Sequence, residues 1–258
     1  MKLLIKYFKL HLRLALEYKS SFILTTIAQS INVIAELFVL YCLFNKFKLL
    51  EEYNVYELLL AFSVLWLGFG IMEVIFRGWD HFSNLIIRGE LDILLIRPRS
   101  LFLTITGTEI AYEKLSIILV SLVLLIFSFI KAVKIITLSK IILTIICVMA
   151  ATTLYLSLFI ISAAMCFKTI QGLEFMNVFT YGSRQLGQYP IDMFGKVIKK
   201  IFTYVIPITL INYYPLKFIL GYTNNYIYFL IPFGVLILLV ISVLLFRIGL
   251  KSYQGTGS

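Results

Sequence analysis

Charge is scarce in this chain, 14% of 258 residues, against about a quarter in an ordinary soluble domain. A disordered segment, which needs high charge and low hydrophobicity, is thereby excluded. Histidine is rarer, with two residues, and only three cysteines occur. Cys42, Cys147 and Cys166 stand far apart inside apolar runs. With no CxxC pair and no paired histidines, they do not read as a metal cage or a secreted disulfide framework. Buried small hydrophobes describe them better. The sequence also lacks GxxxxGK[ST], G-x-S-x-G and H-E-x-x-H. The tail Gly255-Thr256-Gly257-Ser258 has neither the strand, the lysine nor the following helix of a phosphate loop. The chain therefore reads as having no nucleotide site, no cofactor and no catalytic residues of its own.

What abounds is apolar surface: 61% hydrophobic and 16% aromatic residues, with a mean hydropathy of +0.98. A soluble core of this length cannot bury so much, so the second solvent is a bilayer. The net charge of +10 then reflects basic cytoplasmic segments and contact with anionic lipid, not nucleic acid. Each crossing helix needs about 20 apolar residues. The chain accommodates roughly six and leaves no room for a separate soluble domain. The reading is an all-α, polytopic membrane protein with one transmembrane domain over residues 1–258.

Residues 1–20 carry charges throughout and show no cleavage site, unlike a signal peptide. Lys2, Lys6, Lys9 and Arg13 make one helical stripe, while Leu3, Leu4, Phe8, Leu12 and Leu14 fall largely elsewhere. This predicts an amphipathic helix on the membrane surface; a plain basic flank of the first span is the alternative. Spans are expected at about 21–44, 55–76, 104–130, 138–167 and 226–250. Between 168 and 225 two readings stay open. Segment 201–220 is apolar but broken by Pro207 and Pro215. Segment 170–188 is helical in pattern but carries Glu174, Asn177, Arg184, Gln185 and Gln188. Lysine and arginine number eleven on the side holding residues 1–20, 77–100 and the C-terminal end, against five on the other. By the positive-inside rule both termini are cytoplasmic and the count is even, six.

Polar residues inside spans are costly and mark interfaces or pathways. Gln29, Asn32 and Glu36 form one stripe on the first span. Glu109 and Glu113, spaced i, i+4 in the third, are candidates for the same path or for a subunit interface. Glu73 and Arg77, also i, i+4, read as a local ion pair. The loop from 77 to 100 is the most telling segment. Its Leu91, Leu94 and Leu95 share a helical face, Glu90 and Asp92 lie near the start, and Pro98 stops the helix. A short amphipathic helix held between two spans is a docking element; a turn resting on lipid is the plain alternative.

The pattern Arg88-Gly89-Glu90-Leu91-Asp92-x-Leu94-Leu95-x-Arg97-Pro98-Arg99 resembles the membrane subunits of ATP-binding-cassette (ABC) exporters of the type-2 permease class. So do Gln188-Tyr189-Pro190, Val205-Ile206-Pro207, Asn212-Tyr213-Tyr214-Pro215 and the closing Gly249-x-x-x-Tyr253-x-Gly255-x-Gly257, in the family's order. The resemblance implies six spans, an N-terminal amphipathic connecting helix, a cytoplasmic coupling helix and a re-entrant hairpin before the last span. Residues 88–99 would then couple to the ATPase, 190–220 would be the outer hairpin and 170–188 the fifth span. The implied partners are two copies of a cytoplasmic ABC ATPase subunit, which hold ATP and magnesium, and a second permease, identical or related. The implied place is a bacterial plasma membrane. A proton-coupled secondary transporter or channel using Glu36, Glu109 or Glu113 is the rival reading.

Overall fold

The computed structural model describes residues 2–46, 54–169, 174–189 and 191–254. Lys48, Pro190, Gly255 and Gly257, on which parts of the sequence argument rest, lie outside the described residues, as does 170–173. In lipid only a helix satisfies a crossing backbone within one segment, and all regular structure among the described residues is helical. Five helices are long and apolar enough to cross a membrane: Lys19–Phe44, Val55–Ile75, Tyr112–Ala132, Leu138–Cys166 and Tyr226–Lys251.

Helix α1 (Lys2–Glu17) is amphipathic. It exposes Ile5, Leu10, Leu12, Leu14 and Leu16. Its other face is pinned to the bundle, where the Tyr112 hydroxyl donates to Phe8 O at 2.8 Å and His11 Nε2 lies 3.0 Å from Gly107 O. Residue 107 has to be glycine because the Tyr7 ring occupies the place of a Cβ. Helix α2 (Lys19–Lys46) is the least enclosed crossing helix. Only 11% of its apolar window is buried within the chain, against 83% for α3 (Val55–Ile75). Most of α2 therefore faces lipid or another chain. Helix α3 starts at a capping box, with Asn54 and Glu57 exchanging side chain-to-backbone hydrogen bonds, and forms the centre of the bundle.

Four short helices follow: α4 (Arg77–Asp80), α5 (Phe82–Ile87), α6 (Glu90–Ile96) and α7 (Leu101–Thr108). They close one end of the bundle, hereafter the basal end. Gly89, at φ 67°, makes the left-handed corner between α5 and α6 that a Cβ would oppose. Helix α8 (Leu115–Ala132) begins later than hydropathy indicates. Residues up to Thr108 belong to α7, Glu109 is extended (φ −146°, ψ 129°) and 112–114 form a 3-10 turn. Glu109 and Glu113 thus share no helical face, and the third crossing starts at Tyr112. Tertiary partners override the local preference: Ala111 N donates to Val74 O, and His81 claims the Glu109 carboxylate.

Helix α9 (Leu138–Cys166) packs between two glycines. At Gly68 of α3, Thr152 Oγ1 donates to the backbone oxygen at 3.1 Å, and an added Cβ would strike Ala151 and Val148 O. At Gly249 an added Cβ would meet the Phe167 ring and Ala164 O. Small residues let crossing helices approach this closely where no hydrophobic force drives them together.

Residues 174–187 are helical throughout: α10 (Glu174–Asn177), a π-turn Val178–Gly182 and α11 (Ser183–Gly187). At 1.5 Å per residue that stretch is about 21 Å long, short of the roughly 30 Å hydrocarbon core. Segment 201–220 is not one helix. Helix α12 (Lys196–Lys200) runs into a π-turn ending at Val205, Pro207 interrupts, and α13 (Thr209–Asn212) and α14 (Tyr214–Leu220) follow. Pro207 removes an amide that a continuous ladder would require, whereas Pro215 occupies the first turn of α14, where the missing amide costs nothing. This segment lies at the end opposite the base, where Tyr222 donates to Glu57 at 2.7 Å. Finally α15 (Val235–Lys251) returns to the base, and Phe246 meets Trp79, Phe82 and Phe167 edge-on or tilted.

Candidate functional site

Three features stand out: a buried charge cluster, an exposed basal helix and a polar cavity. The cluster grows from Glu73 in the last turn of α3. The i, i+4 geometry brings Arg77 Nη1 to 2.7 Å and 2.8 Å from its two oxygens. The pair is not merely local. Lys114 Nζ approaches Glu73 Oε2 at 2.9 Å, and the Tyr181 hydroxyl lies 3.2 Å from Oε1. Glu73 is fully buried, so these donors replace the water it has lost. Arg77 also reaches Asp80 at 2.9 Å, and Tyr181 donates to the same carboxylate at 2.9 Å.

At the edge of the cluster His81 Nδ1 meets Glu109 Oε2 at 2.6 Å. Burial works against the charge on Arg77, but Glu73 and Asp80 outweigh it and hold the guanidinium above its ordinary range. Burial pushes the Asp80 carboxyl up, and Arg77 offsets this only in part. The hydrogen bond to Glu109 raises His81. Burial would raise Glu109, yet the bond and charge of His81 outweigh it and leave the carboxyl below its usual range.

A pH dependence follows. His81, raised above its ordinary 6.5, stabilises the fold fully below that value and loses its contribution as pH climbs through the raised value. Glu109, lowered from 4.5, contributes above that value and loses it as pH falls. The pair is therefore strongest at about pH 5–6. The thermal stability lost in His81→Asn is expected to be greatest there and to shrink toward alkaline pH. A deficit constant across a pH series of melting curves would refute the ion pair.

The basal helix α6 is anchored by Leu91, which is fully buried, and by Leu94, partly buried against the core. Leu95, about 40° around the helix from Leu91, falls at the edge of the packed face and is 42% exposed, and Ile87, Ile93 and Ile96 are exposed as well. Glu90 and Arg88 form only a loose exposed pair at 4.0 Å. Arg97, Pro98 and Arg99 are exposed beyond the helix, and Asp92 lies close enough to Tyr253, near the end of α15, to act on it electrostatically.

The cavity, about 430 Å³, lies beside the middle of α3. Gln29, Asn32 and Glu36 of α2 line one side, Trp66 and Phe69 of α3 another, and Lys114, Tyr181 and Arg184 complete the polar wall. Gln185 Nε2 donates to Glu36 at 3.2 Å, and Lys114 reaches Gln29 at 3.3 Å. Arg184 turns inward, its guanidinium carbon 4.1 Å from the Trp66 ring centre and 4.5 Å from Phe69. The stripe on α2 was legible as a period. The inward course of Arg184 was not, because its aromatic partners lie more than a hundred residues earlier. Glu36 is not gathered with Glu109 or Glu113: Glu109 sits in the basal cluster and Glu113 in the turn 112–114. The structure thus brings no chain of these three carboxylates together.

A helical bundle of several membrane-length segments beside a cavity defines a multi-pass membrane protein. The chain belongs to the ABC-2 family of transporter proteins, whose model matches residues 30–257. No curated protein and no solved structure matches it. Members of the family are transport permeases that generally lack an ATPase site, and membership implies partnership with an ABC ATPase.

Proposed function

We propose that the chain is the permease subunit of an ABC exporter. It pairs with a second permease, identical or related, and rests on two copies of a cytoplasmic ATPase subunit that hold ATP and magnesium. The observation that carries the reading is α6. Leu91 ties it into the bundle, while Ile87, Ile93, Leu95 and Ile96 present an apolar face bordered by Arg88, Arg97 and Arg99. An apolar patch with a charged rim is the anatomy of a protein interface. Closure of the ATPases on ATP would push α6, and the push would pass through Leu91 and Asp92–Tyr253 into α3, α9 and α15. The spans would then switch access as rigid bodies.

Chain direction supports six crossings. Helix α9 ends at the base, where Phe167 meets Phe246. The chain reaches the opposite end before the last span, where Phe218 meets Tyr226. The stretch between must climb the bundle. Residues 170–188 would supply the fifth crossing and 190–220 a re-entrant outer hairpin, with both termini cytoplasmic in a bacterial plasma membrane. The exposed face of α2 favours a permease dimer.

The test is purification from the native host in mild detergent, with an ATPase assay on what co-purifies. An ABC ATPase is expected in stoichiometric amount. Glu90→Lys with Asp92→Lys should weaken its association by about tenfold or more, some 1.4 kcal/mol, and abolish transport. Transport at the wild-type rate in that double variant would overturn the docking assignment.

A further inference from the structure

We propose that the cavity beside α3 binds the anionic head of an amphipathic molecule, with Arg184 as the group that holds it. That this molecule is the exported cargo rests on the permease reading; the binding itself does not. Two cations line the cavity and they differ in one respect. Lys114 has its counter-charge, Glu73, at 2.9 Å. Arg184 has no ion pair and no hydrogen bond among the described residues, and its Nε is buried without an acceptor. The carboxylate on the facing wall, Glu36, receives the amide of Gln185 and acts on Arg184 only through space, without an ion-pair contact. A largely buried cation with no counter-charge in contact is costly, and an anionic guest in contact with it offsets that cost.

Geometry selects the sign of the guest. The faces of Trp66 and Phe69 that would otherwise greet an organic cation are already occupied by the guanidinium. What Arg184 offers is its edge, a planar fork of N–H donors suited to a carboxylate or phosphate. Volume selects the rest. A cavity of about 430 Å³ lies in the range that holds drug-sized ligands, far beyond the needs of a bare ion. Val39 and Ile117 add apolar wall, along which a tail can lie.

The experiment is ligand binding to the full chain in phosphatidylcholine nanodiscs, read by tryptophan fluorescence, since Trp66 lies directly against Arg184. The probes are hexadecyl phosphate, hexadecanol, hexadecyltrimethylammonium and inorganic phosphate. Hexadecyl phosphate should saturate and bind about tenfold or more tighter than each of the others. Arg184→Gln should erase that preference and Arg184→Lys should keep part of it. Equal binding of hexadecanol would overturn head recognition, and equal binding of the ammonium would overturn its sign. Inorganic phosphate binding as tightly as hexadecyl phosphate would overturn the amphiphile. An unchanged preference in a folded Arg184→Gln would place the site elsewhere. If that variant does not fold, the ranking of probes on the wild type decides alone. No ATPase takes part, so a chain that binds hexadecyl phosphate but recruits no ATPase would fail the exporter reading and keep this site.

Discussion

Glu73→Gln is expected to destabilise the purified chain by about 3–5 kcal/mol, the usual cost of leaving buried charge uncompensated. The substitution keeps the volume and one carbonyl oxygen but strips the counter-charge from Lys114 and one of the carboxylates from Arg77, which keeps Asp80; the contacts at 2.7 Å and 2.9 Å converge on Glu73. In a chain of this size the midpoint of thermal unfolding should fall by roughly 6–20 °C. The double variant Glu73→Gln, Lys114→Met removes one orphaned cation and should recover part of the loss, because a deleted pair costs less than a broken one. Stability equal to wild type in the single variant would mean that solvent reaches the cluster. A double variant no better than the single would show that Lys114 is not a true partner.

Gly68→Val should cost about 3 kcal/mol, the upper part of the range for overpacking. Its Cβ would meet Ala151 and Val148 O, the latter at 2.9 Å. Backbone on a neighbouring helix cannot rotate away as a side chain can. Helices α3 and α9 would have to separate, and the hydrogen bond from Thr152 to Gly68 O would be lost. Gly68→Ala brings the same Cβ without the two further methyl groups and should cost less, about 2 kcal/mol. Detergent-resistant folding measured for the pair should fall in that order. A valine variant as stable as wild type would show that the helices do not touch at this point.

Hydropathy alone located the membrane-length helices well, because twenty apolar residues in water have few other options. It failed at 104–114, where Leu101–Thr108 and Leu115–Ala132 are each apolar and nothing local marks the break between them. The break is imposed from outside, by His81 on Glu109 and by Val74 on the Ala111 amide. The i, i+4 pair of Glu73 and Arg77 could be read from spacing. Its enlargement by Lys114 and Tyr181 could not, since they lie about 40 and 100 residues away and periodicity carries no information at that range. Likewise Leu95 reads as a companion of Leu91 and Leu94, yet it lies at the edge of their face and is exposed while they pack, because what covers that edge depends on neighbouring helices and not on the period. The period of Gln29, Asn32 and Glu36 placed them on one side of α2. What stands opposite them, Arg184 sandwiched by Trp66 and Phe69, depends on how 174–187 packs.

The Glu73 carboxylate takes hydrogen bonds or ion pairs from three separate pieces of chain: the start of α4, the turn before α8 and the 174–187 helix. In mechanical language it is a pivot. A rotation at the basal helices would act on Lys114 through this point, and on Tyr181 through it and through Asp80, and both of those residues also line the cavity. Displacement at one end would then become a change in the shape of the chamber at mid-height, with this acid as the fulcrum.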